Sequence, residues 1–449
     1  AAESAPEGQW IIGRGWHQNK WTDDPSTYVN GFPAHQKLSE AVPDHPVYLI
    51  HASGHAILVN KKAMELAGIS ADTPDPEGGE IIRDPSGNPT GVFVENAENL
   101  IARVLPARSR EEKIQALLKA QESCFRNGIT MFHDAGVGRE DIELYKSLYQ
   151  QGKLKIRLYV MLDGSDSLLL ADYFKNGPEI GLYDDHLFIR SVKLYIDGAL
   201  GSRGAWFLEP YSDRPGYTAK PVTPLKKLEL ISHQAAQAGF QVCTHAIGDR
   251  ANQEILKIYK KVLSETNNPF QYRFRIEHAQ HVAPEDIPEF AKWSIIASMQ
   301  GIHFASDILW AIDRLGEKRI RNGSYAWQSF LKNQVTLMNG TDVPVEDINP
   351  FPNLYTLITR KTLDGQFKTW FNENEKLTPL QALKAYTLNN AYGAFLEDKT
   401  GSISEGKYAD LTVISNNPLT APPDKLKETK VLFTMINGEI VYPDSLLKK

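Results

Sequence analysis

Residues 191–198 read SVKLYIDG, a β-branched apolar run that carries Lys193 and closes on Asp-Gly. The same form recurs with other polar residues: FQVCTHAIGD (240–249) carries His245, RFRIEHAQ (273–280) carries His278, and VTLMNGTD (335–342) ends on Asp342. GITMFHDAG (128–136), KIRLYVML (155–162) and SIIASMQG (294–301) bring the number of such runs to seven. Continuous apolar runs of this length read as parallel strands buried on both faces. The intervals leave room for crossover helices such as SHQAAQAG (232–239) and ANQEILKIYKKVLSE (251–265). The expected fold class is α/β, a (β/α)8 TIM-type barrel whose first strand is absent from these residues. Downstream strand ends converge on one mouth in such a barrel, so Lys193, His245, His278 and Asp342 can meet there around one ion.

Working outward, residues from 10 to about 110 have another character, rich in Pro, Gly and aromatics, with two strand-like pieces, WIIGRGW (10–16) and PVYLIHASG (46–54). They read as a large insertion. Within it, Asn60 caps a short helix over KKAMELAGI that Gly68 stops. Further on, LTPLQALKAYTLNNAYGAF (377–395) starts with a capping box, Thr378 with Gln381, and Pro379 at the first helical position, followed by an amphipathic run. The tail then turns β-rich in GSISEGKYADLTVIS (401–415) and KVLFTMINGEIVY (430–442), with Asn437-Gly438 as a hairpin signal. The expected division is a barrel over 1–395, with the insertion at about 10–110, and 396–449 as the C-terminal part of a small β-sandwich domain. A few strands alone are marginal, so these need packing partners from elsewhere.

The 449 residues are 42% hydrophobic with a net charge of −6, ample for a large core. Basic residues form no long run, and a mildly acidic surface repels phosphates, so nucleic acid is not an expected partner. Cys124 and Cys243 lie in apolar stretches and read as buried free thiols. VYLIHASGHAILV is too short to span a bilayer, so no membrane partner is expected. The start AAESAPEGQW lacks a basic and an apolar region and reads as a cut end. The expected compartment is the cytoplasm, with a periplasmic or exported location left open. No phosphate-binding GxxxxGK[ST] and no G-x-S-x-G elbow is present.

Neutral imidazoles and carboxylates suit zinc and related divalent ions, a role that His245 and His278 fit. The alternative for each is a hydrogen-bonded structural histidine. An unmodified lysine is a poor ligand, so Lys193 belongs at a metal only as a carbamate; otherwise it pairs with Asp197 or a nearby Glu. Asp342 either touches the metal and takes the proton of its bound water, or caps the NGTD turn. Arg203 in GSRGAW can grip a carboxylate, while Trp16, Trp206 and Phe207 can form an apolar wall; core packing and surface ion pairing are the alternatives. His51 and His55 in HASGH are candidates for substrate contact or structural hydrogen bonding. His303 is a further pocket candidate, and His133 fits either role.

Several of these stretches in order, GRGW, HASGHAILVN, KLYIDGALGSRGAW, THAIGDRAN, RIEHAQ, NGTDVPVEDINPF and GSISEGKYADLTV, resemble the amidohydrolase superfamily, and within it the YtcJ-like branch that includes N-substituted formamide deformylase. The resemblance implies a lysine on the fourth strand, carboxylated into a bridging ligand, histidines from the fifth and sixth, and an aspartate from the eighth. These positions match Lys193, His245, His278 and Asp342. It implies a divalent metal, zinc first, as one or two ions. The expected reaction is hydrolysis of a non-peptide C–N bond in a small-molecule amide, with a deaminase or cyclic-amide hydrolase as an alternative on the same fold. A homodimer is a candidate assembly. The family's first strand ends in a His-x-His pair, and this sequence contains none. An N-terminal segment bearing it is therefore expected to lie outside these residues, and without it the chain is expected to be weakly active or a catalytically silent barrel.

Overall fold

The computed structural model describes residues 1–21, 27–365 and 372–443. Five strands build the first sheet: β1 (Ile11–Trp16), β2 (Val47–His51), β3 (Ala56–Val59), β4 (Gly79–Arg83) and β5 (Pro89–Glu95), in the order β1-β2-β3-β5-β4. The sequence predicts only β1 and β2. Of the other three, β3 and β4 have four and five residues, and β5 takes its place between them by pairing with β3, Ala56 with Val94 and Leu58 with Val92, a distant contact which a local pattern does not carry. Alternation then buries both faces. Phe93 joins Tyr48, Ile57 and the helix residues Ala63 and Met64 on one side, while Val92 and Val94 join Trp16, Phe32 and Leu58 on the other. The helix Lys61–Ala67 is capped as its sequence predicts, by the Asn60 side chain accepting from Ala63 N and by Gly68 in the left-handed region.

The central sheet contains β6 (Met131–Val137), β7 (Arg157–Asp163), β9 (Leu187–Tyr195), β10 (Gln241–Ala246), β11 (Arg275–His278), β12 (Ile296–Met299) and β13 (Leu337–Asn339), with a short β8 (Glu179–Gly181) against β9. All seven runs anticipated from the sequence are strands, parallel throughout, in the order β13-β12-β11-β10-β9-β7-β6. The sheet curls. Arg275 on β11 lies 3.1 Å from His133 on β6, although three strands separate them in the sheet order. In a flat sheet those strands would stand roughly 19 Å apart. One face, bearing Val160, Val192, Leu194, Val242 and Ile276, packs against helix residues such as Leu228, Ile255 and Tyr259. The other face is not the apolar surface expected: it carries buried Ser191, Lys193, Arg275, Glu277 and Ser298.

The tail forms an antiparallel sheet of β14 (Leu411–Ile414), β15 (Val431–Ile436) and β16 (Glu439–Tyr442). Asn437 (φ 51°) and Gly438 (φ 84°) make the predicted tight hairpin. The packing partner comes from this chain: Thr434 donates to Phe125 O, Thr412 to Gly128 O, and Asp410 accepts two hydrogen bonds from Arg157, with both charged side chains buried. The helix predicted over 377–395 breaks in two at Thr387 (φ −122°, ψ −88°), giving Pro379–Tyr386 and Leu388–Gly393, while its capping box is intact. Both cysteines are free and buried. Among the described residues no helix is long and apolar enough to cross a membrane.

Candidate metal centre and substrate cavity

Strand register sets the depth of each candidate. Lys193 pairs with Cys243 and Tyr195 with His245, so the lysine sits two residues below the histidine on the same face. His245 in turn pairs with Glu277, which makes His278 the partner of Ala246 and by alternation turns it away. Its backbone reverses that. His278 has φ 74°, in the left-handed region, and its ring centre lies 4.5 Å from that of His245. Asp342 (φ 58°) and Glu95 (φ 51°) are also left-handed. Such residues are uncommon outside glycine, and each costs about 1 kcal/mol or more that the surrounding packing must offset.

Hydrogen bonds define the two imidazoles. His245 Nε2–H donates to the Gly198 carbonyl at 3.3 Å and His278 Nδ1–H to Gln300 Oε1 at 2.8 Å, which leaves His245 Nδ1 and His278 Nε2 without a hydrogen-bond partner among the described residues. Burial lowers both pKa values, that of His278 to about 3, so both rings are neutral. His303 is stacked 6.0 Å from His278 and is likewise lowered by burial, to about 4; its Nε2 is buried without a hydrogen bond. Lys193 is buried, its ammonium 4.8 Å from the centre of the Tyr195 ring. The pairing with Asp197 considered from sequence does not form. Asp197 instead accepts from the backbone N–H groups of Trp206, Ile247 and Gly248, and burial pushes its carboxyl up to about 7.

A cavity of about 360 Å³ opens at this mouth. His55, His245, His278, His303 and Asp342 line it, together with residues not anticipated as site residues: His17, Lys20, Gln280, Asp307, Trp310 and Glu346. Lys193, Arg203, Trp16, His51 and Trp206 are not in the lining. Arg203 is ion-paired to Asp213, which Arg314 also contacts. Trp16 is buried with its indole N–H on Leu49 O, and Phe207 is core, so the apolar wall expected from them is supplied by Trp310. His51 is fully buried, with Ser53 on one ring nitrogen and Gln18 on the other. His133 is engaged by Arg275.

His55 reaches the mouth from the turn before β3, its ring 4.9 Å from His245. Its Nδ1 is 2.7 Å from Glu95 Oε2. Burial works to lower its pKa, but the charge and hydrogen bond of Glu95 raise it to about 9. Glu95 was missed from sequence. It looks like an ordinary strand-end residue, and only its contact with His55, 40 positions away, marks it.

Two neutral imidazoles with unbonded nitrogens, each oriented by a hydrogen bond on its other nitrogen, are donors that suit a divalent ion. The fit extends to those two and no further. Among the described residues no group of three or more His, Cys, Asp or Glu side chains is gathered closely enough to hold a metal.

Residues 1–442 match the model of the amidohydrolase family, Amidohydro_3. The chain is 33% identical to Protein LONG AFTER FAR-RED 3 of Arabidopsis thaliana, over 99% of this chain and 76% of that protein. It is 32% identical to amidohydrolase YtcJ of Bacillus subtilis (98% and 81%) and 26% identical to N-substituted formamide deformylase of Arthrobacter pascens (97% and 80%). The fold is similar to the crystal structure of an uncharacterized metal-dependent hydrolase from Pyrococcus horikoshii, with TM-score 0.73 and 24% identity, over 94% of this chain and 80% of that one.

Proposed function

The chain belongs to the amidohydrolase family, and from that premise we propose that it hydrolyses a non-peptide C–N bond, in an N-substituted amide or formamide, in the cavity lined by His245, His278 and Asp342. The observation that carries this reading is the meeting of two neutral, hydrogen-bond-oriented imidazoles at the mouth of the parallel sheet, on the wall of a cavity large enough for a small amide. His245 and His278 would hold a divalent ion, zinc first; Asp342 and a carboxylated Lys193, the further donors that the family resemblance implies, would have to close on it to complete the site. Bound there, the ion would supply a water activated at neutral pH and polarise the carbonyl. Asp342 accepts the proton of the attacking water and delivers it to the nitrogen as the C–N bond breaks, releasing acid and amine. Lys193 suits carboxylation because its side chain belongs to a buried residue and has no ion pair within 4 Å among the described residues. Trp310 and the ring edges of the histidines receive the apolar substituent.

That no third donor is grouped with them among the described residues favours a second reading, a barrel that keeps the fold without chemistry. Metal analysis with an activity screen separates the two. The hydrolase reading expects near-stoichiometric zinc, turnover of N-formyl or N-acyl amines above cyclic imides and aminated heterocycles, and loss of both zinc and turnover in His245→Ala. A protein that stays metal-free when zinc and bicarbonate are supplied supports the silent barrel.

A further inference from the structure

Glu95 is placed at some cost. It ends β5 with a left-handed backbone (φ 51°, ψ −131°), its side chain is only 9% exposed, and its Oε1 is buried with no hydrogen bond. The loop after β9 is shaped to admit it. A Cβ at Gly198 would lie 1.7 Å from Glu95 Oε1 and one at Gly204 2.1 Å from it, so glycine at both positions leaves the room this carboxylate occupies. Gly198 N–H donates to Gly204 O, and Gly204 N–H to Ala199 O, which holds that loop closed around it. Among the described residues the one side-chain hydrogen-bond partner of Glu95 is His55, at 2.7 Å through Nδ1. The other edge of the imidazole carries Nε2, which has no hydrogen-bond partner among the described residues, on a side chain that lines the cavity beside His245.

The structure assigns Glu95 as a positioning residue: it fixes His55 through Nδ1 so that Nε2 is presented to the scissile amide in the cavity. The geometry is that of a carboxylate orienting an imidazole from behind, the same division of labour by which a buried aspartate holds a catalytic histidine. Here the insertion provides both groups and the barrel loop supplies the glycines that receive them. The insertion is thereby part of the reacting centre. This assignment rests on the amide-hydrolase reading for the identity of the ligand.

The test uses Glu95→Gln, which keeps the size and an oxygen acceptor for Nδ1–H but removes the charge. With an N-formyl amine as substrate, kcat is expected to fall at least ~100-fold, KM to change less than about threefold, and the melting temperature to stay put. His55→Gln should cost about as much, and the double variant little more than either alone, because the two act as a unit. Unchanged kcat in Glu95→Gln, or losses that multiply in the double variant, overturns the assignment. ¹⁵N-histidine spectra read the pair without turnover: N-benzylformamide should move the His55 ring signals in the wild type, and signals that stay still overturn the contact even in an active enzyme. A wild type that hydrolyses no amide, yet whose His55 signals move with this probe, sinks the hydrolase reading and leaves the pair standing.

Discussion

The cavity side chains show how burial decides the chemistry of single residues. Asp307 accepts from Tyr325 OH and Gln280 Nε2, and burial, then the charge of Glu346, push its carboxyl up to about 8. A carboxyl whose folded pKa lies above its unfolded value contributes stability that is complete below about pH 4 and is lost as pH rises through the folded value. Asp307→Asn keeps the acceptor oxygen and cannot ionise. It should match the wild type in melting temperature near pH 4 and exceed it by ~2 °C or more at pH 9. Equal melting temperatures at both pH values would show that the carboxyl is not held protonated. Arg203 makes the complementary point. The sequence offers it as a substrate grip, but Asp213 engages it outside the cavity lining.

Individual elements are stabilised by devices of unequal strength. The capping box at Thr378 satisfies two backbone donors on the surface, and Thr378→Ala should cost about 1 kcal/mol, seen as faster amide exchange in Pro379–Tyr386. The Arg157–Asp410 pair joins β7 to the segment leading into β14 through two hydrogen bonds of 2.6 and 3.0 Å, with both side chains 1% exposed. Removing one member leaves a buried charge alone, so Asp410→Ala should cost ~3–5 kcal/mol. Thermal unfolding and limited proteolysis of the tail check this; a drop no larger than that of Thr378→Ala would mean that the pair contributes little. The break at Thr387 lets Asn390 turn inward, where its side chain bonds Asn339 on β13.

For the molecule as a whole, the proposed metal should act on stability as well as on turnover, because an ion that binds only the folded state stabilises it by mass action. Zinc at about 100 times its Kd should add ~2.7 kcal/mol and raise the melting temperature of chelator-treated protein. His245→Ala should abolish that rise while leaving the zinc-free melting temperature within a few degrees, since among the described residues its ring makes one long hydrogen bond, at 3.3 Å to Gly198 O, with Asp197 Oδ1 3.5 Å away. A rise that persists in this variant would place the stabilising ion elsewhere. The curl of the central sheet makes this coupling possible: it brings strand ends to one mouth, where the rings of His245 on β10 and His278 on β11 meet and Asp342 lines the same cavity.

By itself the sequence determined what depends on neighbours in the chain. The seven parallel strands, the Asn60 and Thr378 caps and the Asn437-Gly438 hairpin follow from apolar runs and local turn and capping chemistry, which act within a few residues. Three-dimensional packing decided the rest. The strands of the insertion, the turning of His278 against its strand parity, the exclusion of Lys193 and Arg203 from the cavity lining, the entry of Trp310 into it and the contact of Glu95 with His55 all depend on contacts between distant segments. The physical reason is that a side chain's partner is chosen by the backbone's path through space, and a left-handed φ or a glycine cradle redirects that path without leaving a periodic mark in the sequence.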